Sequence, residues 1–287
     1  LVAVLSPFVS WGTGNILIKH VSRHPEAFPI FWGAALTTSL ASGLLLCGVA
    51  VAVSSVLLSP VAAWRLVLPI AIGELLGVRL ADVSGQAFQA FQRLSRTSLI
   101  WVMLSTYRLG GAFILLFLPL ARTAEVWAVL YMISGLLAGG TALVWVWREL
   151  GWGPLGFSAI KGEWCEGFYF AVSHSAQGAY NDIDKTLLLR MTSEAVAGAY
   201  TAAYRVLDAA FIPVRALLYA GYPRFFQEGD KSLAHAAVLA LRFLPWAAGW
   251  AMLAGFGLLL ISPLLPLMLG QEYQETPAMV VWLTPIL

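Results

Sequence analysis

The chain has 287 residues, 60% hydrophobic and only 11% charged, with 17 basic and 15 acidic side chains, a formal net charge of +2 and a mean hydropathy of +0.79. A soluble domain carries roughly 25% charged residues, so this composition excludes a water-soluble enzyme, a disordered chain and a nucleic-acid binder. What remains is a polytopic membrane protein, and the two cysteines, Cys47 and Cys165, offer neither a disulfide framework nor a metal set.

Apolar stretches long enough to cross a bilayer, which takes about 20 residues, recur along the chain. They read as spans over 1–19, 28–58, 61–90, 97–119, 125–147, 165–190, 194–222 and 241–269, followed by a shorter apolar run at the end. The expectation is an all-α bundle of eight full transmembrane helices plus a truncated ninth. Leu1 is not Met and the last run is too short to cross, so the sequence is expected to continue at both ends. A Gly-, Pro- and Trp-rich stretch, 151–164, separates five spans from three and a stub. It reads as a cytoplasmic linker between an N-terminal lobe, 1–150, and a C-terminal lobe, 165–287. Pro7 with its following half-helix and basic end is echoed from Pro213 to Arg224, which suggests parallel repeats.

The polar breaks alternate in charge. Lys19, Arg23, Arg93, Arg96, Arg148, Lys161, Arg224, Lys231 and Arg242 fall on one side, and only Arg65, Arg122 and Arg190 on the other. By the positive-inside rule the richer side is cytoplasmic. Trp64, Trp101, Trp127, Trp145, Trp147, Trp164 and Trp246 fall near span ends, where aromatic belts sit.

Ionisable residues inside the spans carry the functional information, because each costs about 2.5–3.5 kcal/mol in lipid even on a lenient scale. At about 100° per residue, Arg79, Asp82, Gln86, Gln89 and Arg93 share one arc of their helix. Ser98, Trp101, Ser105 and Arg108 share a second, and His174, Gln177, Asn181, Asp184 and Lys185 a third. Tyr204, Asp208, Phe211, Arg215 and Tyr219 share a fourth, with Arg205 beside it. Four apolar cylinders each with one polar stripe indicate an internal cavity. Arg79 with Asp82 and Arg205 with Asp208 are spaced to pair locally, while Glu74 lies off the stripes. Arg108, Lys185 and Arg215 are left without an obvious local partner, so the stripes carry surplus base. Such a surface suits an anionic headgroup on sugars, with Arg holding phosphate and aromatics stacking on sugar rings.

Several motif matches are discounted. Gly151, Gly153 and Gly156 spell GxGxxG but follow a membrane helix and are interrupted by Pro154. His20 and His24 are flanked by Lys19 and Arg23 and read as a solvated loop rather than a metal site. Asp182 and Asp184 spell DxD, but residues two apart on a helix point in opposed directions. Gly135, Gly139 and Gly140 read as a helix-packing face. Neither a metal nor a cofactor is expected.

The stretch from Asp184 through Gly198 and Tyr200 to Arg205, continuing to Pro213 and Tyr222–Pro223, resembles the polysaccharide-transporter flippases that carry O-antigen and other lipid-linked oligosaccharides. These belong to the multidrug/oligosaccharidyl-lipid/polysaccharide exporter superfamily. Asp184 and Arg205 match the family's motif, and Gly198, Tyr200 and Pro213 match structural positions. The resemblance implies a MATE/MOP-like two-lobe helical bundle, a fragment lacking the first helix and the C-terminal helices. It also implies export of polyprenyl-diphosphate-linked oligosaccharide across the bacterial inner membrane by alternating access. Of the site residues the resemblance carries only Asp184 and Arg205; from the polar stripes, Arg79, Arg108, Lys185, Arg205, Arg215, Tyr204 and Asn181 are expected to bind substrate, and Asp82, Asp184 and Asp208 to couple to H⁺ or Na⁺. A multidrug cation exporter of the same superfamily and a membrane-embedded glycosyltransferase or O-antigen polymerase are the competing readings.

Overall fold

The computed structural model describes residues 2–57, 59–117, 123–270 and 273–286, and the side chains of 3–4, 158, 177–186, 189–190, 194–195 and 268–269 lie outside that description. Every regular element among the described residues is helical. They divide into two compact units, Leu1–Gln177 and Gly178–Leu287. The first contains α1 (Val2–Leu5), α2 (Thr13–Arg23), α3 (Phe28–Leu57), α4 (Pro60–Ala90), α5 (Leu94–Phe117) and α6 (Ala124–Leu150). The boundary falls within α7 (Trp164–Met191), and the second unit holds α8 (Glu194–Lys231), α9 (Leu233–Ile261) and α10 (Thr276–Leu283).

Among the described residues five helices are long and apolar enough to cross a membrane: Pro25–Leu57, Pro60–Ala90, Leu94–Phe117, Ala124–Leu150 and Leu233–Leu267. They coincide with five of the eight expected spans. The other three segments are helical but different in kind. Segment 1–19 is not one rod: α1 and the 3-10 turn Ser6–Phe8 are separated from α2 by a turn in which Trp11 (φ 46°) and Gly12 (φ 68°) are both left-handed. Gly12 can adopt this conformation without cost, whereas Trp11 holds it against side-chain sterics. A Cβ on Gly12 would also overlap the Gly167 carbonyl, so the start of α7 packs directly on the break. Helices α7 and α8 have the length to cross but carry the polar stripes within their sequence.

Helix α4 departs from α-geometry twice, over Ala63–Val67 and Ile72–Val78, where the turns widen to π-helix. The first has a local cause. Pro69 lacks an N–H and its ring crowds the carbonyl four residues back, and the Leu68 N–H reaches back five residues to the Ala63 carbonyl. The second contains Gly73 and Gly77, which face Gly135 and Gly139 of α6 so closely that a Cβ at Gly77 would overlap the Gly135 backbone. The packing face foreseen at Gly135 and Gly139 is thus a glycine-to-glycine crossing, while Gly140 has open space beside it. Val9, Cys47, Ala50, Ala71 and Leu75 form a buried cluster next to it.

The Gly/Pro-rich stretch after α6 is docked on α3. A Cβ on Gly153 would overlap the Pro29 carbonyl, one on Gly33 would overlap the Pro154 carbonyl, and Gly156 N–H donates to Thr37 Oγ1 at 3.0 Å. Of the three glycines in the discounted nucleotide motif, Gly153 lets two backbones meet, Gly151 leaves α6 at φ 91°, and Gly156 has open space beside it. In the second unit Ala203 and Leu207 of α8, Leu258 of α9, Val280 of α10, and Leu265 of the short helix Leu265–Leu269 form the core. Trp250 Nε1 donates to the Ala210 carbonyl at 2.8 Å, in the turn before Pro213, tying α9 to the stretch of α8 that the proline disturbs.

Candidate functional site

Two polar clusters lie within the spans of the first unit. Arg79 of α4 donates from Nε (2.9 Å) and Nη2 (2.7 Å) to Ser6 Oγ and from Nη1 to Asp82 Oδ2 (3.1 Å). Ser6 is buried at the end of the broken first segment, so that break delivers a hydroxyl to an intramembrane guanidinium. Close by, Thr13 Oγ1 and Gln86 Oε1 are buried with no hydrogen-bond partner among the described residues, and Gln86 lies against Gly14. Asn15 Nδ2 is 3.2 Å from His174 Nε2 of α7.

The second cluster joins three helices. Tyr131 Oη of α6 donates to Glu74 Oε2 of α4 at 2.5 Å and accepts from Arg108 Nη2 of α5 at 2.7 Å. Arg108 Nη2 also reaches Glu74 Oε2 at 3.4 Å, and its guanidinium carbon lies 4.5 Å from the Tyr131 ring centroid. The glycine crossing explains the meeting: with no side chains between them, α4 and α6 approach closely enough for Glu74 and Tyr131 to touch. Neither Glu74 nor Tyr131 was among the expected site residues. Glu74 was visible as an intramembrane acid, but nothing in the sequence marks Tyr131.

In the second unit Arg215 Nη2 donates to Asp208 Oδ1 at 2.6 Å, across two helical turns that contain Pro213. Asp208 therefore pairs with Arg215 and not with Arg205, three residues away. Arg205 is exposed and has no carboxylate partner among the described residues. The Tyr204 ring lies 5.3 Å from that of Tyr200. The expected site residues Asn181, Asp184 and Lys185, and the Asp182 of the DxD match, have side chains outside the described residues.

These pairings revise the expected charge surplus. Arg108 and Arg215, expected without local partners, both have carboxylates. In the first unit Arg79 and Arg108 are matched by Asp82 and Glu74, so its four described intramembrane charges sum to zero.

At and beyond the span ends the ion pairs join groups that the charge rule places on one side of the membrane. Arg93 and Arg96 meet Glu149 at 3.3 and 2.7 Å, Lys19 meets Glu163 and Glu166 at 3.2 and 2.6 Å, and Arg65 meets Glu125 at 3.5 Å. His20 Nε2 lies 2.8 Å from Glu163 Oε1 with its ring stacked on Phe31, and His24 faces Glu26. Partial burial pushes the Glu163 carboxyl up, but the hydrogen bonds from His20 and Lys19 outweigh it and hold the group below the usual carboxylate range. Among the described residues no cluster of His, Cys, Asp and Glu could hold a metal ion.

The model of the polysaccharide biosynthesis protein family matches residues 1–228. Neither a curated protein nor a solved structure matches the chain. With apolar helices of membrane-crossing length and a family match over most of its residues, the chain belongs to the polysaccharide biosynthesis protein family.

Proposed function

We propose that the protein is a flippase that moves polyprenyl-diphosphate-linked oligosaccharide across the bacterial inner membrane by alternating access, coupled to H⁺ or Na⁺, and is not an enzyme. The observation that carries this reading is the family match over residues 1–228 in a chain with five membrane-length apolar helices, two of which carry a half-buried arginine, Arg79 and Arg108. Polysaccharide assembly at a membrane creates a transport problem, since a charged, sugar-bearing headgroup does not cross hydrocarbon unaided.

On this reading Arg79, Arg108, Lys185, Arg205 and Arg215 hold the diphosphate and sugar headgroup, with Asn181 and Tyr204 contacting sugar, while the polyprenyl tail stays in lipid. Asp82, Asp184 and Asp208 bind the coupling ion and weight the inward and outward states differently, which any driving ion must do. The lobes would be 1–150 and 165–287, joined through 151–164.

Reconstitution into liposomes with a lipid-linked oligosaccharide, followed by measurement of headgroup exposure on the opposite leaflet, tests the proposal. Arg108→Ala and Arg215→Ala should each cut the flipping rate at least about tenfold, the factor that corresponds to losing one charge-assisted contact of roughly 1.5 kcal/mol. Full activity in both variants overturns the cavity assignment. A cation exporter is the second reading, favoured by the neutrality of the intramembrane charges in the first unit. Efflux of a cationic dye without glycan flipping would replace the proposal with it, and glycan elongation by the purified protein would replace both with a transferase.

A further inference from the structure

The three-helix cluster gives one guanidinium two claimants and leaves it unsaturated. Arg108 is two-thirds covered, with 34% of its side chain exposed and 25% of that of Glu74. Its Nη2 touches Tyr131 at 2.7 Å but reaches Glu74 only at 3.4 Å, near the outer limit for a hydrogen bond. Its Nε is buried with no partner among the described residues. Glu74 has its shorter contact, 2.5 Å, with the Tyr131 hydroxyl. Arg108 is therefore neutralised by Glu74 without being gripped by it. The fork that arginine offers to phosphate, two parallel N–H donors on one anion, is not in use toward the carboxylate.

We propose that Glu74 is an internal competitor for Arg108: a carboxylate that occupies the guanidinium until a phosphoryl oxyanion displaces it, and that thereby sets the affinity of the first unit for an anionic ligand. The proposal rests on the reading of Arg108 as a headgroup ligand. Two anions beside one cation repel each other in a medium that screens poorly, so ligand binding and the Glu74–Arg108 contact oppose one another. Tyr131 makes the exchange feasible, because its hydroxyl keeps donating to Glu74 when the arginine turns away. Protonation of Glu74 removes the competition in the same way as its replacement by Gln.

The groups that face Glu74 are Arg108 from α5 and Tyr131 from α6. On α4 itself the neighbouring charges are Arg65, engaged by Glu125, and Arg79, engaged by Asp82. Helix α3, packed against the same stretch, has no charged residue. Glu74 is thus a positioning residue that acts through Arg108.

The test uses the full chain in nanodiscs of phosphatidylcholine, titrated by calorimetry with inorganic diphosphate and separately with farnesyl diphosphate. Glu74→Gln should tighten binding roughly tenfold, inside the 5- to 150-fold range typical of coupled sites. Arg108→Gln should abolish binding in both backgrounds. On acidification wild-type affinity should rise, whereas that of Glu74→Gln should fall as the ligand itself loses charge. Binding of farnesyl diphosphate alone assigns the oxyanion to a lipid-linked ligand, and equal binding of inorganic diphosphate assigns it to the headgroup by itself.

Unchanged or weaker binding in Glu74→Gln overturns the proposal, as does a complete lack of diphosphate binding by both proteins. A rise in wild-type affinity on acidification runs against the ligand's own loss of charge and needs no substitution to be read, so a variant that fails to fold does not shelter the idea. The competitor can stand while transport falls, if this binding pattern occurs in a protein that flips no glycan. Transport can stand while the competitor falls, if flipping proceeds and Glu74→Gln leaves affinity and pH profile untouched.

Discussion

Arg79, Arg108 and Arg215 each stand within a predicted span, where an isolated charge is costly, and each meets a carboxylate. That they need partners or a polar setting was legible from rarity alone, since unpaired charge in lipid is costly. The identity of the partner was legible only where helical spacing supplies it. Arg79 and Asp82 are one turn apart and pair as that spacing predicts. Glu74 and Arg108 lie on different helices, and no periodicity links them. Asp208 had two arginines within reach along α8, and the one across Pro213 took it. Among the residues outside the spans, Glu163 makes a prediction of its own. Its carboxyl titrates below the ordinary range because His20 and Lys19 hold the charged form. A depressed folded-state value means that the stabilisation is present above the unfolded value, about 4.3, and is lost as pH falls through the folded one. Thermal melts of detergent-solubilised wild type should therefore drop more between pH 6 and pH 3 than those of Glu163→Gln. Equal drops would show that the contacts of Glu163 with Lys19 and His20 contribute nothing measurable.

At the scale of elements, the apolar helices were readable from length and composition: α3, α4, α5 and α6 appear within a few residues of their expected limits, while α9 begins at Leu233, eight residues before the expected 241. What composition could not supply was the departure from regular geometry. Two π-helical turns in α4 change the angular offset of everything across them, so stripe arithmetic at about 100° per residue holds for Arg79 to Gln89 but not from Glu74 to Arg79. Glu74, inside the second widened turn, meets Arg108 and Tyr131, whereas Arg79 just beyond it meets Ser6 and Asp82. The break at Trp11–Gly12 was hidden for a similar reason, since an apolar count is blind to a left-handed residue. The crossing of α4 on α6 is open to a direct test. Gly77→Ala puts a methyl into the Gly135 backbone and should lower stability by about 1–3 kcal/mol in reversible denaturation from detergent micelles. Gly140→Ala, with nothing within 4 Å of the added carbon, should be neutral or slightly stabilising on helix propensity. Equal effects of the two substitutions would show that the crossing does not depend on glycine.

Across the whole molecule, the strongest sequence signal was the nine-to-three division of basic residues among the breaks. Ion pairs that join Arg93 and Arg96 to Glu149, Lys19 to Glu163, and Arg65 to Glu125 respect that division. Orientation can be read in intact cells. In a background without Cys47 and Cys165, a membrane-impermeant maleimide should label Ala124→Cys from outside and reach Glu26→Cys only after lysis; the reverse pattern would invert the topology. The stretch between α6 and α7 shows how little composition says about mechanics. Four glycines and a proline in 151–163 mark a linker and say nothing of what holds it. Gly153 and Pro154 interlock with Pro29 and Gly33, Gly156 bonds to Thr37, and Glu163 is bound by Lys19 and His20. Ordering a backbone costs about 1–2 kcal/mol per residue, and these contacts offset that cost when the first unit folds. The segment behaves as a strut: its length, and not its looseness, is what its neighbours depend on.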